Sequence, residues 1–514
     1  MVVKLFSQGH KTGTTGRVNG QAGTRPGLWS DGQSQSLRRR MLRWRTFSCL
    51  PLTVFLLIVL FLGGCAPAKT QPVKTATIPP GEVDPAVWGK VYPLEYDSFM
   101  KQKEGGQGQS KYKGSEPLDK LSEYPYQLVL LDGWGFGIEF NEPRGHVYML
   151  KDQLDIDPSR RKPGGVCLSC KTPYAPQLKE KLGIDYFRLP YDQVHSQIPK
   201  NHAELGLSCI DCHEPNTMDL VISRWFLGEA LKTLGKDPAT LTRQEKRTLV
   251  CAQCHNTYII PRDKEMKPTG LFLPWQKSQW GHIAIEDIEA VIKSDPANLE
   301  WKSNITGIKL GHIRHPEFEL YSNGSVHWKA GVACADCHMP YERVGSTKIS
   351  SHHVESPLKE DMRACTQCHT QSPQWLREQV IYIQDRTNNL ATRAGNAAAQ
   401  AAKAIELANK TTGVDQGLLT EAKALYEKAY YRVEFITAEN SMGFHNPEEA
   451  LRVLGDALYY ANRAEMKARE ALVKAGVTVP DKFDLELSKY AKRGTKGVLY
   501  RPELNKEFTF DGTK

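Results

Sequence analysis

The chain has 514 residues, 40% hydrophobic and 24% charged, the length of two to four domains and the balance of a soluble globular protein. Its formal charge of +9 sits almost wholly at the front: residues 1–47 carry nine Lys or Arg against one acid, Asp31. That excludes a nucleic-acid-binding surface as the meaning of the charge and reads as targeting.

In chain order, residues 1–47 form a basic, glycine-containing extension without apolar periodicity, and Met41 offers a second start. Residues 48–65 hold an apolar run, Leu50–Leu62, short for a membrane span and right for a signal segment. Leu62-Gly63-Gly64-Cys65 follows and resembles a bacterial lipobox with Cys65 as the lipidated residue. The same run also reads as an uncleaved anchor. Either way the expected location is the periplasmic side of the bacterial cytoplasmic membrane. Residues 66–84 read as a linker. Residues 85–375 are punctuated every few residues by Pro, Gly, Asn and Asp, which predicts short helices, many loops and little sheet.

Ten of the twelve cysteines fall in five C-x-x-C pairs within that region. Four pairs continue into histidine: Cys209/Cys212-His213, Cys251/Cys254-His255, Cys334/Cys337-His338 and Cys365/Cys368-His369. This is the attachment signature of c-type haem: two thiols add to the vinyl groups and the next side chain reaches the iron. A disulfide framework would not place histidine so regularly, and five zinc knuckles would call for more cysteines. The first pair, Cys167/Cys170, continues into Lys171. One haem of five is therefore built differently, and chemistry is expected there.

From residue 376 to 478 the character changes. Trp375–Lys410, Asp415–Asn440 and Pro447–Ala475 carry apolar residues at helical spacing with charge opposite, Asn446-Pro447-Glu448-Glu449 is a helix start, and Gly476 is a stop. Three such helices read as a bundle, offering a dimer face or packing only on their own chain. Residues 479–514 read as a polar tail on the surface. The predicted fold class is mainly α: short helices and loops around five haems, then a long-helix bundle.

Fifteen histidines less the four proximal ones leave eleven, enough for four distal ligands. Spacing alone does not say which.

The order of one C-x-x-C-K and four C-x-x-C-H motifs before a long helical C-terminus resembles the ammonia-forming cytochrome c nitrite reductases, the pentahaem cytochrome c552 family. The likeness runs from about residue 120 to 475. Its markers are Pro143-Arg144-Gly145-His146, Tyr258 after Cys254-His255, His315-Pro316-Glu317-Phe318 followed by His327, Cys337-His338-Met339-Pro340, and Phe444-His445-Asn446-Pro447-Glu448-Glu449. The resemblance implies that His146 pairs with His255, His352 with His213, His445 with His338 and His327 with His369; His353, next to His352, is the alternative there. It implies an active site of Lys171, Tyr258, His315 and an arginine matching Arg160 or Arg161. It implies six-electron reduction of nitrite to ammonium, a cationic substrate pocket for an anion, a homodimer, and a membrane-bound tetrahaem quinol dehydrogenase as donor. Many members also hold a calcium beside the site. Here Thr257, His312 and Arg314 stand at those positions, a poor set for a hard cation, so calcium is expected to be absent with Arg314 in its place. Reduction of another nitrogen or sulfur compound such as hydroxylamine or sulfite, and electron transfer without a substrate, are the alternative functions.

Overall fold

The computed structural model describes residues 77–490, apart from 105–110, 113–117, 143 and 162–163, together with 492–495 and 498–499. The basic extension, the apolar run and Cys65 lie outside the described residues, as do most of the tail positions beyond 495. No helix among the described residues is long and apolar enough to cross a membrane. The motif-bearing region and the long helices fall in one compact unit, Lys74–Lys514.

Between residues 85 and 370 the described chain is built of one- to three-turn helices, many of them 3-10 turns, and of two-stranded antiparallel ladders two to four residues long, such as Tyr341–Val344 with Thr347–Ser350. This is the pattern expected where Pro, Gly and Asp interrupt every apolar run. Asp84, Asp157, Asp237 and Asp295 each precede a proline and accept a backbone N–H two residues on, starting a turn and stopping anything longer.

Three long helices follow: Pro373–Lys410, Gln416–Thr437 and Pro447–Lys474. Each starts on a capping side chain. Ser372 accepts from the N–H of Trp375 at 3.2 Å, Asp415 from that of Gly417 at 2.9 Å, and Asn446 from that of Glu449 at 3.4 Å. Loss of such a cap costs about 1 kcal/mol. The alanine run of the first helix is its packing face: Ala394, Ala398, Ala399, Ala402 and Ile405 are buried, and so are Ala457, Ala461, Ala464 and Ala468 of the third. Small residues let the backbones approach closely. Gly395 sits where any Cβ would collide with the ring of Tyr126, which is how the bundle receives the short helix Tyr126–Leu130.

After the third helix the chain turns back on the motif region. Phe483 is buried, and Arg493 meets Asp119 at 2.6 Å. The N–H of Thr495 donates to Asp157 at 2.6 Å.

Candidate haem and active site

The local backbone of each motif follows from what the cofactor needs. Cys334–His338 is a single α-turn, so the thiols at i and i+3 and the imidazole at i+4 share one face. Gly165–Cys170 is a 3-10 turn in which i and i+3 eclipse, again placing both thiols together, with Lys171 as the residue that closes it. Gly165 cannot carry a side chain: its Cβ would lie 2.6 Å from the carbonyl of Tyr186.

The motifs line one continuous cavity of about 2360 Å³ that also reaches Lys171, Tyr258 and His315. Ordinary ligand pockets run from roughly 300 to 1,000 Å³, so this void suits several large flat groups. The thiol of Cys170 lies in hydrogen-bond contact with that of Cys254, and Cys251 with Cys334. First, third and fourth motifs are therefore contiguous, and Cys337 is within electrostatic range of Cys365 in the fifth. Cys368 is exposed, which puts the fifth motif nearest the solvent.

Four histidine pairs stand at this cavity, and all their members except His369 line it. Ring centres are 5.9 Å apart for His146 and His255, and 6.3 Å for His213 and His352, for His338 and His445, and for His327 and His369. Two metal–nitrogen bonds of about 2 Å plus two ring radii of about 1.1 Å give about 6.2 Å between imidazoles on opposite sides of one metal. The residues present fit the group. On three of these imidazoles the outer nitrogen is hydrogen-bonded to a backbone carbonyl. Nδ1 of His213 meets the carbonyl of Met218, that of His338 the carbonyl of Glu355, and that of His352 the carbonyl of Ser350, each at 2.9 Å. Nδ1 of His445 lies 2.6 Å from Glu439. Each leaves Nε2 for the iron, the usual division of labour in a metal-binding histidine. Burial lowers His146 to about 3 and His338 to about 4, which keeps both in the neutral form that binds metal. His353 does not face His213; its Nδ1 lies 3.3 Å from Glu355.

Around Lys171 the arrangement is different. His315 stands on the lysine side with φ of 43°, a left-handed conformation that a non-glycine residue adopts only where its surroundings hold it. The Glu317 carboxylate lies near it, 3.9 Å from Nδ1 of His315 and 3.7 Å from Nδ1 of His255. The His255 ring is also 6.4 Å from that of His315. Nδ1 of His255 is on the Glu317 side, which leaves Nε2 as the nitrogen available to a metal. Burial alone would raise the Glu317 carboxyl, but the two imidazoles outweigh it and hold it well below the usual range. Burial lowers His315, with Glu317 opposing, and burial raises the Tyr258 phenol.

The two candidate arginines part company here. Arg160 ends the turn Pro158–Arg160, lines the cavity, and lays its guanidinium over Phe136 at 4.3 Å. Arg161, one residue on, is not among the lining residues and reaches Asp192 at 3.3 Å.

Arg314 is fully engaged. It donates to both oxygens of Glu300, to the carbonyl of Tyr258 at 2.8 Å and to that of His312 at 3.1 Å, and its plane lies 4.6 Å from the Tyr258 ring. Its own N–H donates to Thr257 Oγ1 at 3.0 Å. Glu300 and Arg314 are both buried. Burial works against the guanidinium's charge, but Glu300 outweighs it and its acidity falls. Glu300 and Glu439 carry no motif in the sequence, and Glu317, though within the His315-Pro316-Glu317-Phe318 marker, is revealed as a neighbour of two imidazoles only by its three-dimensional contacts.

Covalent attachment turns, a shared cavity and paired imidazoles define a multihaem c-type cytochrome. The chain belongs to the cytochrome c552 family, whose pattern it matches over residues 84–507. It is 33% identical over 401 residues to a cytochrome c-552 of Bacteroides fragilis, covering 76% of this chain and 78% of that one. It is 31% identical over 469 residues to the cytochrome c nitrite reductase subunit NrfA of Nitratidesulfovibrio vulgaris, covering 83% and 87%. Among solved structures, cytochrome c nitrite reductase NrfA of Desulfovibrio desulfuricans superposes with a TM-score of 0.71 at 30% identity, over 82% of this chain and 91% of that one. The mainly α, motif-rich architecture is that multihaem fold.

Proposed function

We propose that this chain reduces nitrite to ammonium at the Lys171 motif. The observation that carries the reading is an asymmetry. Each of the four histidine-ended motifs already faces a second imidazole, whereas Lys171 shares the cavity with Arg160, Tyr258 and His315. Haem c held by the five motifs would supply electron transfer and, at Lys171, an iron able to take a substrate. The reaction consumes six electrons and eight protons per nitrite and releases ammonium and two waters. Arg160 meets the anion: its planar fork suits oxyanion oxygens, and its partial burial strengthens the attraction. His315 and Tyr258 hold protons against those oxygens, with the Glu317 carboxylate as the negative charge nearest the imidazole. The contiguous first, third, fourth and fifth motifs support a path for electrons arriving from the exposed end.

Arg314 serves in place of a calcium. Its guanidinium occupies the carbonyl oxygens of Tyr258 and His312 and the carboxylate of Glu300, oxygen donors that a hard cation would otherwise seek. The protein works as a homodimer on the periplasmic side of the cytoplasmic membrane, held there through Cys65 or the preceding apolar run. A membrane-bound tetrahaem quinol dehydrogenase feeds it electrons.

The test is ammonium yield from nitrite with a reduced viologen as donor, on holo-protein carrying its full haem complement. Stoichiometric ammonium with six electrons per nitrite is expected. No nitrite consumption would overturn the reading. Turnover of hydroxylamine or sulfite alone would reassign the substrate.

A further inference from the structure

Arg224 caps the helix Trp225–Thr233 and is 2% exposed, and no haem motif contains it. Yet it touches three of them, each at the second variable position. In the first motif its Nε donates to the carbonyl of Ser169 at 2.7 Å. In the second, its Nη2 donates to Asp211 at 2.7 Å. In the third, Gln253 accepts from the Arg224 backbone N–H at 2.8 Å and donates from its amide to the carbonyl of Asp211 at 3.0 Å. Nη2 also donates to the carbonyl of Thr172 at 3.1 Å, so the guanidinium grips the backbone on both sides of Lys171. A fork with five donors can serve these three acceptors at once, in fixed directions that a lysine amine does not have. The fourth motif repeats the device with different residues: Asp336, again the second variable residue, accepts from Arg247 at 2.6 Å and Gln244 at 2.7 Å.

We propose that Arg224 is the positioning residue of the lysine-ligated haem, fixing the backbone that carries Lys171 and locking it to the second and third motifs, with Asp211 as its counter-charge. This rests on Lys171 being the proximal ligand. Arg224 touches neither the cavity's nitrite-binding face nor any thiol directly. It acts through the direction in which Lys171 leaves the backbone and through the spacing between neighbouring attachment turns. Electron transfer and coordination geometry both depend on such spacing, and an error of about 1 Å at a reacting centre can lower rates about a hundredfold.

The experiment uses full-length holo-protein of Arg224→Lys and Asp211→Asn, with Arg432→Lys as the comparison. Arg432 is equally buried and pairs with Glu289 at 2.9 Å, far along the chain on the second long helix. Haem content, the electron paramagnetic resonance spectrum and the midpoint potential of the lysine-ligated haem are read without substrate, so they stand apart from whether nitrite is the substrate. Arg224→Lys keeps five haems and its charge but broadens or splits the lysine-haem signal. Its kcat for nitrite falls about tenfold or more with KM within about twofold, the pattern of lost positioning and not of lost binding. Asp211→Asn raises that haem's potential, because the guanidinium stays charged and loses its counter-charge. Arg432→Lys lowers stability and leaves the signal unchanged. A wild-type signal and potential in both Arg224→Lys and Asp211→Asn would overturn the proposal. So would an equal disturbance of the signal by Arg432→Lys, which would make the effect one of general loosening. Should Arg224→Lys fail to accumulate, the potential of Asp211→Asn decides alone.

Discussion

Arg314 and Glu300 form a buried ion pair in which the guanidinium spans both carboxylate oxygens and still reaches two backbone carbonyls. Breaking such a pair by removing one partner costs about 3–5 kcal/mol, since the other charge is left buried. Arg314→Gln is therefore expected to lose most of its activity, about tenfold or more, together with stability. Millimolar calcium restores part of both, because the freed carbonyls and Glu300 are hard oxygen donors. The wild type keeps its activity in chelator. Metal analysis of the wild type that found one tightly held calcium per chain would refute the substitution.

The divergence of Arg160 from Arg161 gives a paired comparison. Arg160→Ala removes the cation over Phe136 from the cavity and is expected to lower kcat/KM for nitrite about tenfold to a hundredfold. Arg161→Ala loses a half-exposed pair with Asp192, worth about 0–1 kcal/mol, and stays within about twofold. Steady-state kinetics of the two variants side by side check this. Equal losses would place both arginines at the site.

Lys171→His offers the first motif the same ligand as the other four. The haem is expected to attach, and turnover to fall by about tenfold or more because the electronic push on the open position changes. Unchanged turnover would remove the special role of the lysine.

Glu434 is buried on the second long helix with no hydrogen-bond partner for either oxygen among the described residues. Burial raises it to about 8, with Lys120 opposing. An unfolded glutamate titrates near about 4.3. The folded chain therefore binds more protons than the unfolded one between those values, and stability falls as pH rises through them. Glu434→Gln is expected to flatten that dependence, raising the urea midpoint at pH 8 relative to wild type and lowering it or leaving it level at pH 5. Parallel curves would show that Glu434 titrates normally.

Tyr459, Met466 and Val473 recur every seven residues along the third long helix and are 59%, 58% and 63% exposed. Residues seven apart fall on one stripe of a helix, and an exposed apolar stripe suits a second helix lying alongside. With a second copy as the occupant, Met466→Lys with Tyr459→Lys is expected to shift the protein from dimer to monomer in analytical ultracentrifugation while leaving the haem spectrum intact. A dimer unchanged at the same concentration would move the interface elsewhere.

Much of this was legible in the sequence for a simple reason: period and spacing are local. The long helices begin and end within a few residues of where caps, prolines and Gly476 place them, and the motifs announce their own chemistry. The four histidine pairs lie up to 139 residues apart in number, as with His213 and His352, and could be written down only through family likeness; their ring spacing is a property of the folded chain. Choosing Arg160 over Arg161 depends on how one 3-10 turn is rotated, which Asp157 and Pro158 decide. Contacts such as Glu317 with two imidazoles, or Arg224 with three motifs, join segments that no short pattern connects.

The return of the chain end to Asp157 has a consequence for biogenesis. Asp157 caps the turn that aims Arg160, and Thr495 donates to that same carboxylate through its backbone N–H at 2.6 Å and its hydroxyl at 3.1 Å. A polypeptide emerges from the ribosome with residue 495 more than three hundred positions behind residue 160. Every attachment motif is thus synthesised before the contact between Thr495 and Asp157 can form. The turn that carries Arg160 gains its last contact only when the chain is nearly finished.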